Sequence, residues 1–199
     1  MISPSLLNNK HLLWRAGFGP RINQLEDLHK KDIKSLMNDL FKEETFLYVN
    51  YDTPDIAETG DYMMNDQTPA EKKKEMQRIS RQQNEELNLN FLDKMVNSKE
   101  QMREKMAFFW HGHFASRVVN PKFNRQILNV IRKNALGNFK DLLFEVSQAP
   151  AMLNFLNNQQ NKKDHPNENF AREVMELFTM GRGNYTEKDI REGARAFTG

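Results

Sequence analysis

The sequence predicts an all-α protein that folds as a single multi-helix domain, with its helices packed in an orthogonal or bundle-like array. Apolar residues recur at three- and four-residue spacing in nearly every segment, which is the period of a helix with one buried face. No segment alternates between apolar and polar residues as a half-buried strand does. A chain of 199 residues supports one substantial core, so we expect a single domain over residues 1–199.

The N-terminal region predicts three helices followed by an irregular segment. A first helix begins at one of the N-terminal serines and ends at the breaker GFGP. Short helices are expected near residues 22–29 and 33–41. Residues 42–67 lose the helical period and contain Pro, Gly and scattered acids, so they are expected to form a loop excursion on the surface.

A long helix is predicted over residues 68–97. Thr68 serves as its cap and Pro69 occupies the first helical position. Its first three turns are polar, so this half is expected to project into solvent, where it offers a surface to a protein partner. The run Lys72-Lys73-Lys74 lies among glutamates and is typical of a solvated helix face.

Four further helices follow before the C-terminal stretch, and each has one apolar face. Their expected buried residues are Met102, Met106, Phe109, Trp110 and His113 in the first, Ile127, Leu128, Ile131 and Ala135 in the second, Leu142, Leu143 and Val146 in the third, and Met152, Phe155 and Leu156 in the fourth. The polar loop NNQQNKKDHP then leads to the last two helices.

Residues 164–199 predict a helix, a glycine turn and a second helix. Asn167 is the expected N-cap of the first helix and Gly181 ends it. Thr186 with Asp189 three residues later has the form of a capping box and begins the second helix. The expected buried residues are Phe170, Val174, Leu177 and Phe178 in the first helix and Ile190, Ala194 and Phe197 in the second.

Composition excludes several classes of protein. The formal net charge is +2, so no nucleic-acid partner is expected, and the absence of cysteine excludes disulfides and thiolate chemistry. No stretch is long and apolar enough to predict a membrane span, and the N-terminus does not resemble a signal peptide. A cytoplasmic location is therefore expected, although a chain trimmed at its start leaves export open.

A group of polar side chains flanks the apolar stripe of the helix after Asn167. Its members, which fall on adjoining helical rows, are Asn169, Arg172, Glu173 and Glu176. Arg172 also lies one turn after Glu168 and can form an ion pair in either direction. Spacing alone favours a solvated face with ordinary ion pairs. Because Ala171 and Met175 widen the apolar stripe, we nevertheless expect burial against FWHGHF and a large loss of stability in Arg172→Ala.

His111 and His113 are the candidate metal ligands. Two histidines at i and i+2 point the same way in an extended segment, but they diverge on a continuous helix. If the helix frays at Gly112, a zinc or iron site is possible. If the helix continues, His113 packs in the core and His111 points elsewhere.

The histidines could also meet the charged residues of the C-terminal stretch. Together with Glu173 and Glu176 they form the ligand set of a hydrolytic or oxygen-activating divalent metal, with Arg172 or Asn169 orienting the substrate. The same residues suit a buried polar network without a metal. His11 and Arg15, one helical turn apart, are further candidates for this interior site, although a surface or capping role is the alternative.

The stretch NENFAREVMELFTMGRGNYTEKDIREGARAFTG resembles the signature of a large bacterial family known as domain of unknown function 1800. Three further segments agree with the family in order: HLLWRAGFGP, FWHGHFAS and ALGNFKDLLFEVSQAPAMLNFLNN. The resemblance implies a fold family without an established activity. Members of the family usually continue past the motif ARAFTG, so the resemblance also implies that this chain is an N-terminal part, truncated relative to the family.

Two functions are compatible with these observations. The first is a metal-dependent, hydrolase-like activity in which Glu173, Glu176 and Arg172 are catalytic and His111 and His113 bind the metal. The second is a non-catalytic helical scaffold or partner-binding module in which the polar residues are structural. The sequence contains no G-x-S-x-G, H-E-x-x-H or Walker motif that would identify an enzyme class.

Overall fold

A computed structural model of the chain describes residues 3–41, 46–53 and 69–198. Within these ranges helix is the only extensive regular structure, and the β pairing found there is an isolated bridge between Lys162 and His165. The predicted all-α class is therefore confirmed. The α-helices are α1 (Pro4–Ala16), α2 (Ile33–Leu40), α3 (Ala70–Asn97), α4 (Gln101–His113), α5 (Pro121–Asn134), α6 (Phe139–Ser147), α7 (Pro150–Phe155), α8 (Asn169–Glu173) and α9 (Glu187–Ala196).

Several predicted caps stabilise the helix ends. The Ser3 hydroxyl accepts a hydrogen bond from an amide of the first turn of α1. Thr186 and Asp189 form the predicted capping box at the start of α9, where each side chain accepts a hydrogen bond from the other residue's backbone amide. These bonds satisfy amides that have no partner within the helix. The predicted cap Thr68 lies outside the described residues.

Helix α5 forms the centre of the main core and packs against α3, α4, α6 and α7. Its buried apolar face is the predicted one and consists of Ile127, Leu128, Ile131 and Ala135 just past its end. Ala107 of α4 and Ala151 of α7 are fully buried, and their small side chains allow the helices to approach closely. The core therefore consists of helices arranged around α5.

A second, smaller apolar cluster lies in residues 3–41, which we call the N-terminal lobe. Its buried members are Leu13, Leu28, Leu36 and Leu40. The Asn9 amide nitrogen donates to the carbonyl oxygens of Leu28 at 2.7 Å and Lys31 at 2.8 Å, which fixes the turn between α1 and α2. Met102 of α4 packs against this cluster and connects the lobe to the rest of the protein.

The described part of the predicted excursion, residues 46–53, has no regular secondary structure, but it does not lie on the surface throughout. Val49 and Tyr51 are buried in the main core. The backbone amide and carbonyl of Val49 both bond to the Asn129 side chain at 2.8 Å. This side chain replaces the neighbouring strand that an extended segment would otherwise need, so the backbone is buried without losing its hydrogen bonds.

A buried ion pair connects α4, α5 and this extended segment. The Arg132 guanidinium donates to both carboxylate oxygens of Glu104 at 2.6 and 2.8 Å, and the two side chains are 3% and 1% exposed. Arg132 also donates to the Leu47 carbonyl at 2.8 Å and to the Asn129 side chain at 3.1 Å. We call Glu104, Asn129 and Arg132, with the backbone groups of Leu47 and Val49 that they bind, the central polar network.

Four residues that were assigned to buried faces are exposed, and these assignments are wrong: Phe109, Phe155, Leu177 and Phe197. Phe109 lies beside Trp110, whose larger ring occupies the core-facing position. Phe155 and Phe197 lie at the ends of their helices, where cover by neighbouring helices is incomplete. Leu177 lies in a π-helix, whose wider turn changes the faces that a 3.6-residue period predicts.

We predict that Arg132→Ala lowers the free energy of unfolding by about 3 to 5 kcal/mol, because the substitution leaves the buried Glu104 carboxylate without its ionic partner. Urea denaturation measures this change. Lys133→Ala is the matched control on the same helix, since Lys133 forms an exposed pair with Glu145 whose loss costs less than about 1 kcal/mol. Equal effects of the two substitutions would contradict the structural role of the central polar network.

Candidate functional site

The C-terminal stretch forms a helix, a glycine turn and a second helix, as predicted. The Asn167 side chain accepts a hydrogen bond from the Asn169 amide at 3.0 Å at the start of α8, so the predicted capping residue does bind the first turn. Helix α8 continues into the π-helix Val174–Thr179. Gly181 and Gly183 then adopt positive φ angles of 75° and 85°, which reverse the chain toward α9.

Arg172 lies between two carboxylates on the surface of α8 and α9. Its guanidinium donates to both oxygens of Glu187 at 2.7 and 2.9 Å and to Glu168 at 3.0 Å. These contacts raise the pKa of Arg172, with Glu187 the larger cause. Since Glu187 begins α9, the ion pair connects the two helices across the glycine turn.

Glu176 lies in the π-helix and binds two residues of the turn. Its carboxylate accepts a hydrogen bond from the Tyr185 hydroxyl at 2.8 Å and another from the Arg182 guanidinium. These bonds, the stronger of them from Arg182, lower the pKa of the Glu176 carboxyl. Desolvation raises the pKa of the Tyr185 phenol, and the hydrogen bond to the ionised Glu176 raises it further.

The two remaining polar candidates of α8 have different surroundings. The Asn169 amide nitrogen donates to the Leu156 carbonyl at 3.0 Å and thereby caps the C-terminus of α7. Glu173 is half-buried and its charge acts on Arg182. The candidates therefore form separate contacts with α7, with the turn and with α9 instead of converging on one centre.

Helix α4 continues through Gly112 to His113, so the two histidines point apart. The His113 ring lies 3.3 Å from the Phe178 carbonyl through Nε2 and contacts Phe178 edge to face. His111 is exposed, although partial burial of its ring lowers its pKa. In the ranges that the structure describes, no group of three or more His, Asp or Glu side chains is placed to hold a metal ion.

The segment FWHGHF of α4 contacts the π-helix through aromatic residues and not through charged ones. Trp110, His113 and Phe114 pack together, and Phe114 lies 5.4 Å from Phe178 between ring centroids. The predicted burial of Arg172 against FWHGHF is wrong, since Arg172 is 33% exposed and forms its ion pairs with Glu168 and with Glu187 of α9. Phe170, Ala171 and Phe178 provide the buried face, which turns the charged residues toward solvent.

His11 and Arg15 are exposed on α1, so they do not contribute to an interior site. Three residues that the sequence analysis did not predict contact the candidate residues. Arg182 and Tyr185 bind Glu176, and Glu187 binds Arg172. The available signal was the pair of turn glycines, which bring residues 182–187 back beside residues 172–176. The Glu104 and Arg132 pair was also missed, because two residues 28 positions apart show no local pattern.

A family model described as a protein of unknown function (DUF1800) matches residues 11–199 of the chain. No curated protein and no solved structure shows significant similarity to it. The match begins within α1 and includes every helix from α2 to α9. The comparisons therefore assign a family but no activity.

We predict that Arg172→Ala changes the melting temperature far less than Arg132→Ala does. The Arg172 pairs are open to solvent, which screens the charges and can hydrate Glu168 and Glu187 when the guanidinium is removed. Differential scanning calorimetry of the two variants at one pH makes the comparison. A larger loss for Arg172→Ala would restore the idea of a buried charged site.

We also predict that Glu176 titrates below the usual Glu value, which is about 4.3, because Arg182 and Tyr185 bind its ionised form. A carboxyl whose pKa is depressed by folding stabilises the native state above its unfolded pKa, and this contribution is lost as pH falls through the folded pKa. Carboxyl ¹³C NMR measures the titration directly. Arg182→Ala is expected to raise the pKa, and an unchanged value would contradict the assigned ion pair.

Proposed function

This chain belongs to the DUF1800 family of proteins of unknown function, and we propose that it is a non-catalytic helical scaffold that binds a protein partner through the exposed aromatic side of α1 and α4. The observation that carries the proposal is a surface formed by Trp14, Phe18, Phe108 and Phe109, which we call the aromatic surface. Trp14 is 61% exposed and Phe108 is 56% exposed. Large aromatic side chains at the surface are the residues that most often supply binding energy at protein interfaces.

Three members of the aromatic surface, Trp14, Phe18 and Phe108, are connected in space. Phe18 of the GFGP turn lies 6.5 Å from Phe108 of α4 between ring centroids, in an edge-to-face arrangement. The backbone of Gly19 packs against the Trp14 ring so closely that an added Cβ atom would lie 2.8 Å from Nε1. The turn therefore joins an aromatic residue of α1 to one of α4.

Two lysines give this surface a positive charge. The Lys10 ammonium lies 5.4 Å from the centroid of the Trp14 ring, and the Lys105 ammonium lies 5.0 Å from that of Phe18. Such cation–π contacts hold the cations beside the rings and the rings in fixed orientations. A partner with acidic side chains around an apolar centre complements this arrangement, whereas a second copy of the chain would bring like charges together.

The contacts of the polar residues that were predicted to form the site support a structural role for them. Arg172 connects α8 to α9, Glu176 holds the glycine turn, and Asn169 caps α7. The central polar network uses both carboxylate oxygens of Glu104 within the protein. Side chains that are engaged in this way stabilise the scaffold that presents the aromatic surface.

The first half of α3 is a second candidate for the partner surface, and it was the one that the sequence suggested. Its cap Thr68 lies outside the described residues, and the turns that follow carry mainly exposed Lys, Glu, Arg and Gln side chains. Met76 is buried within this half, so this part of α3 is not exposed to solvent on every face. Charged residues are depleted at interface centres, which favours the aromatic surface.

In the described parts of the chain, no helix has the length and apolar character needed to cross a bilayer.

A hydrolase-like activity is the second candidate function. It is favoured by the position of Glu176 in a π-helix, a conformation that often marks functional sites, and by its bonds to Arg182 and Tyr185. It ranks second because His111 and His113 diverge on α4, so a metal-dependent form would need other ligands.

We predict that a photoreactive amino acid at position 14 cross-links the partner in cells, whereas the same group at position 144 does not. Phe144 is a matched control because it is equally exposed and lies on α6, which packs on α5 and α7. Mass spectrometry then identifies the captured protein, and calorimetry measures its affinity for the purified chain. Trp14→Ser is expected to weaken binding at least about thirtyfold, as an aromatic hot spot does.

Phe144→Ser is expected to leave that affinity unchanged. Circular dichroism of both variants verifies that the helices are retained. An equal loss in both variants, or no loss in Trp14→Ser combined with Phe108→Ser, would contradict a partner site on the aromatic surface.

A further inference from the structure

A cleft of about 360 Å³ lies between the N-terminal lobe and the junction of α3 with α4. On the lobe side it is lined by α1, by the turn after it and by α2, and on the other side by Ser98, Lys99 and Gln101. Ligand sites in proteins are typically clefts of this order of size between two structural units. No described residue of the C-terminal stretch 164–199 lines this cleft.

The floor of the cleft is apolar. It consists of Leu13, Leu28, Leu36 and Leu40, the four buried leucines of the lobe. An alkyl chain placed against them would replace water at an apolar surface, which is the main source of binding energy for such ligands. The floor offers no acidic group that would oppose an apolar ligand.

The rim of the cleft is mainly positive. Arg21, Lys31 and Lys99 line it, and Asp39 is the one carboxylate among the described lining residues. Arg21 reaches from the lobe to the Asn97 carbonyl at the end of α3, and its own amide donates to the Gln24 side chain at 3.2 Å. The guanidinium is therefore held at the mouth of the cleft, where an anionic group would meet it.

From this combination we infer that the cleft binds a small amphipathic anion, with an alkyl chain against the leucines and a carboxylate head at Arg21 and Lys31. The volume admits one short chain, and the positive rim selects an anion over a cation with the same tail. Such a ligand would contact both the lobe and the α3–α4 junction, so its binding would strengthen their association.

Decanoate below its micelle concentration is the test ligand, and the whole chain is titrated with it by calorimetry. We expect saturable binding by decanoate and weak or no binding by decyltrimethylammonium, which has the same tail and the opposite charge. Methyl NMR is expected to show the largest shifts at Leu13, Leu28, Leu36 and Leu40. Lys31→Ala is expected to weaken decanoate binding about fivefold, the effect of losing one partly solvated charge.

Lys34→Ala is the matched control, because it removes the same charge from α2 at an exposed position that does not line the cleft. It is expected to leave the affinity unchanged. Absence of saturable binding, equal binding of the two detergents, or methyl shifts outside the lobe would each overturn the inference. Phe108→Ser, which changes the aromatic surface at a residue that does not line the cleft, is expected to leave decanoate binding intact, so the two proposals fail independently.

Discussion

The ion pair between Glu104 and Arg132 is the constraint on which the rest of the structure depends. Neither charge can remain in the interior without the other, because desolvating a single ion costs several kcal/mol. Arg132 also holds the Leu47 carbonyl, and Asn129 holds both backbone groups of Val49. The positions of α4, α5 and the extended segment are therefore fixed together. Hydrophobic packing alone would allow these elements to slide, whereas directional hydrogen bonds select one arrangement.

The charged residues of the C-terminal stretch act differently because they are solvated. Arg172 and Glu176 connect the π-helix, the glycine turn and α9, but water competes for each of these bonds. The burial that attaches the stretch to the core comes from Phe170, Ala171 and Phe178. The aromatic contact of Phe178 with His113 and Phe114 then sets the distance between α4 and the π-helix. Apolar contacts position the stretch, and the ion pairs determine its internal shape.

Much of the fold could be predicted from the sequence because it is encoded locally. The apolar face of α5 and the Thr186 capping box follow from spacings of three and four residues, and both are present in the structure. The direction in which the Arg172 side chain faces could not be predicted, because it depends on the position of α9, which supplies Glu187. The partnership of Glu104 with Arg132 is likewise a tertiary contact. The π-helix breaks the period on which the assignment of Leu177 rested.

The two surfaces for which we propose binding lie near each other because both border the N-terminal lobe. A segment of this length with four buried leucines has too small a core to be stable alone, so its order depends on contact with α4. That contact is made by Met102 and by Gln101, whose side chain accepts a hydrogen bond from the Phe18 amide. The same junction carries the aromatic surface on its outer side and the leucine-floored cleft within. A molecule bound at either place would add contacts between the lobe and α4, so its binding and the attachment of the lobe would be thermodynamically linked.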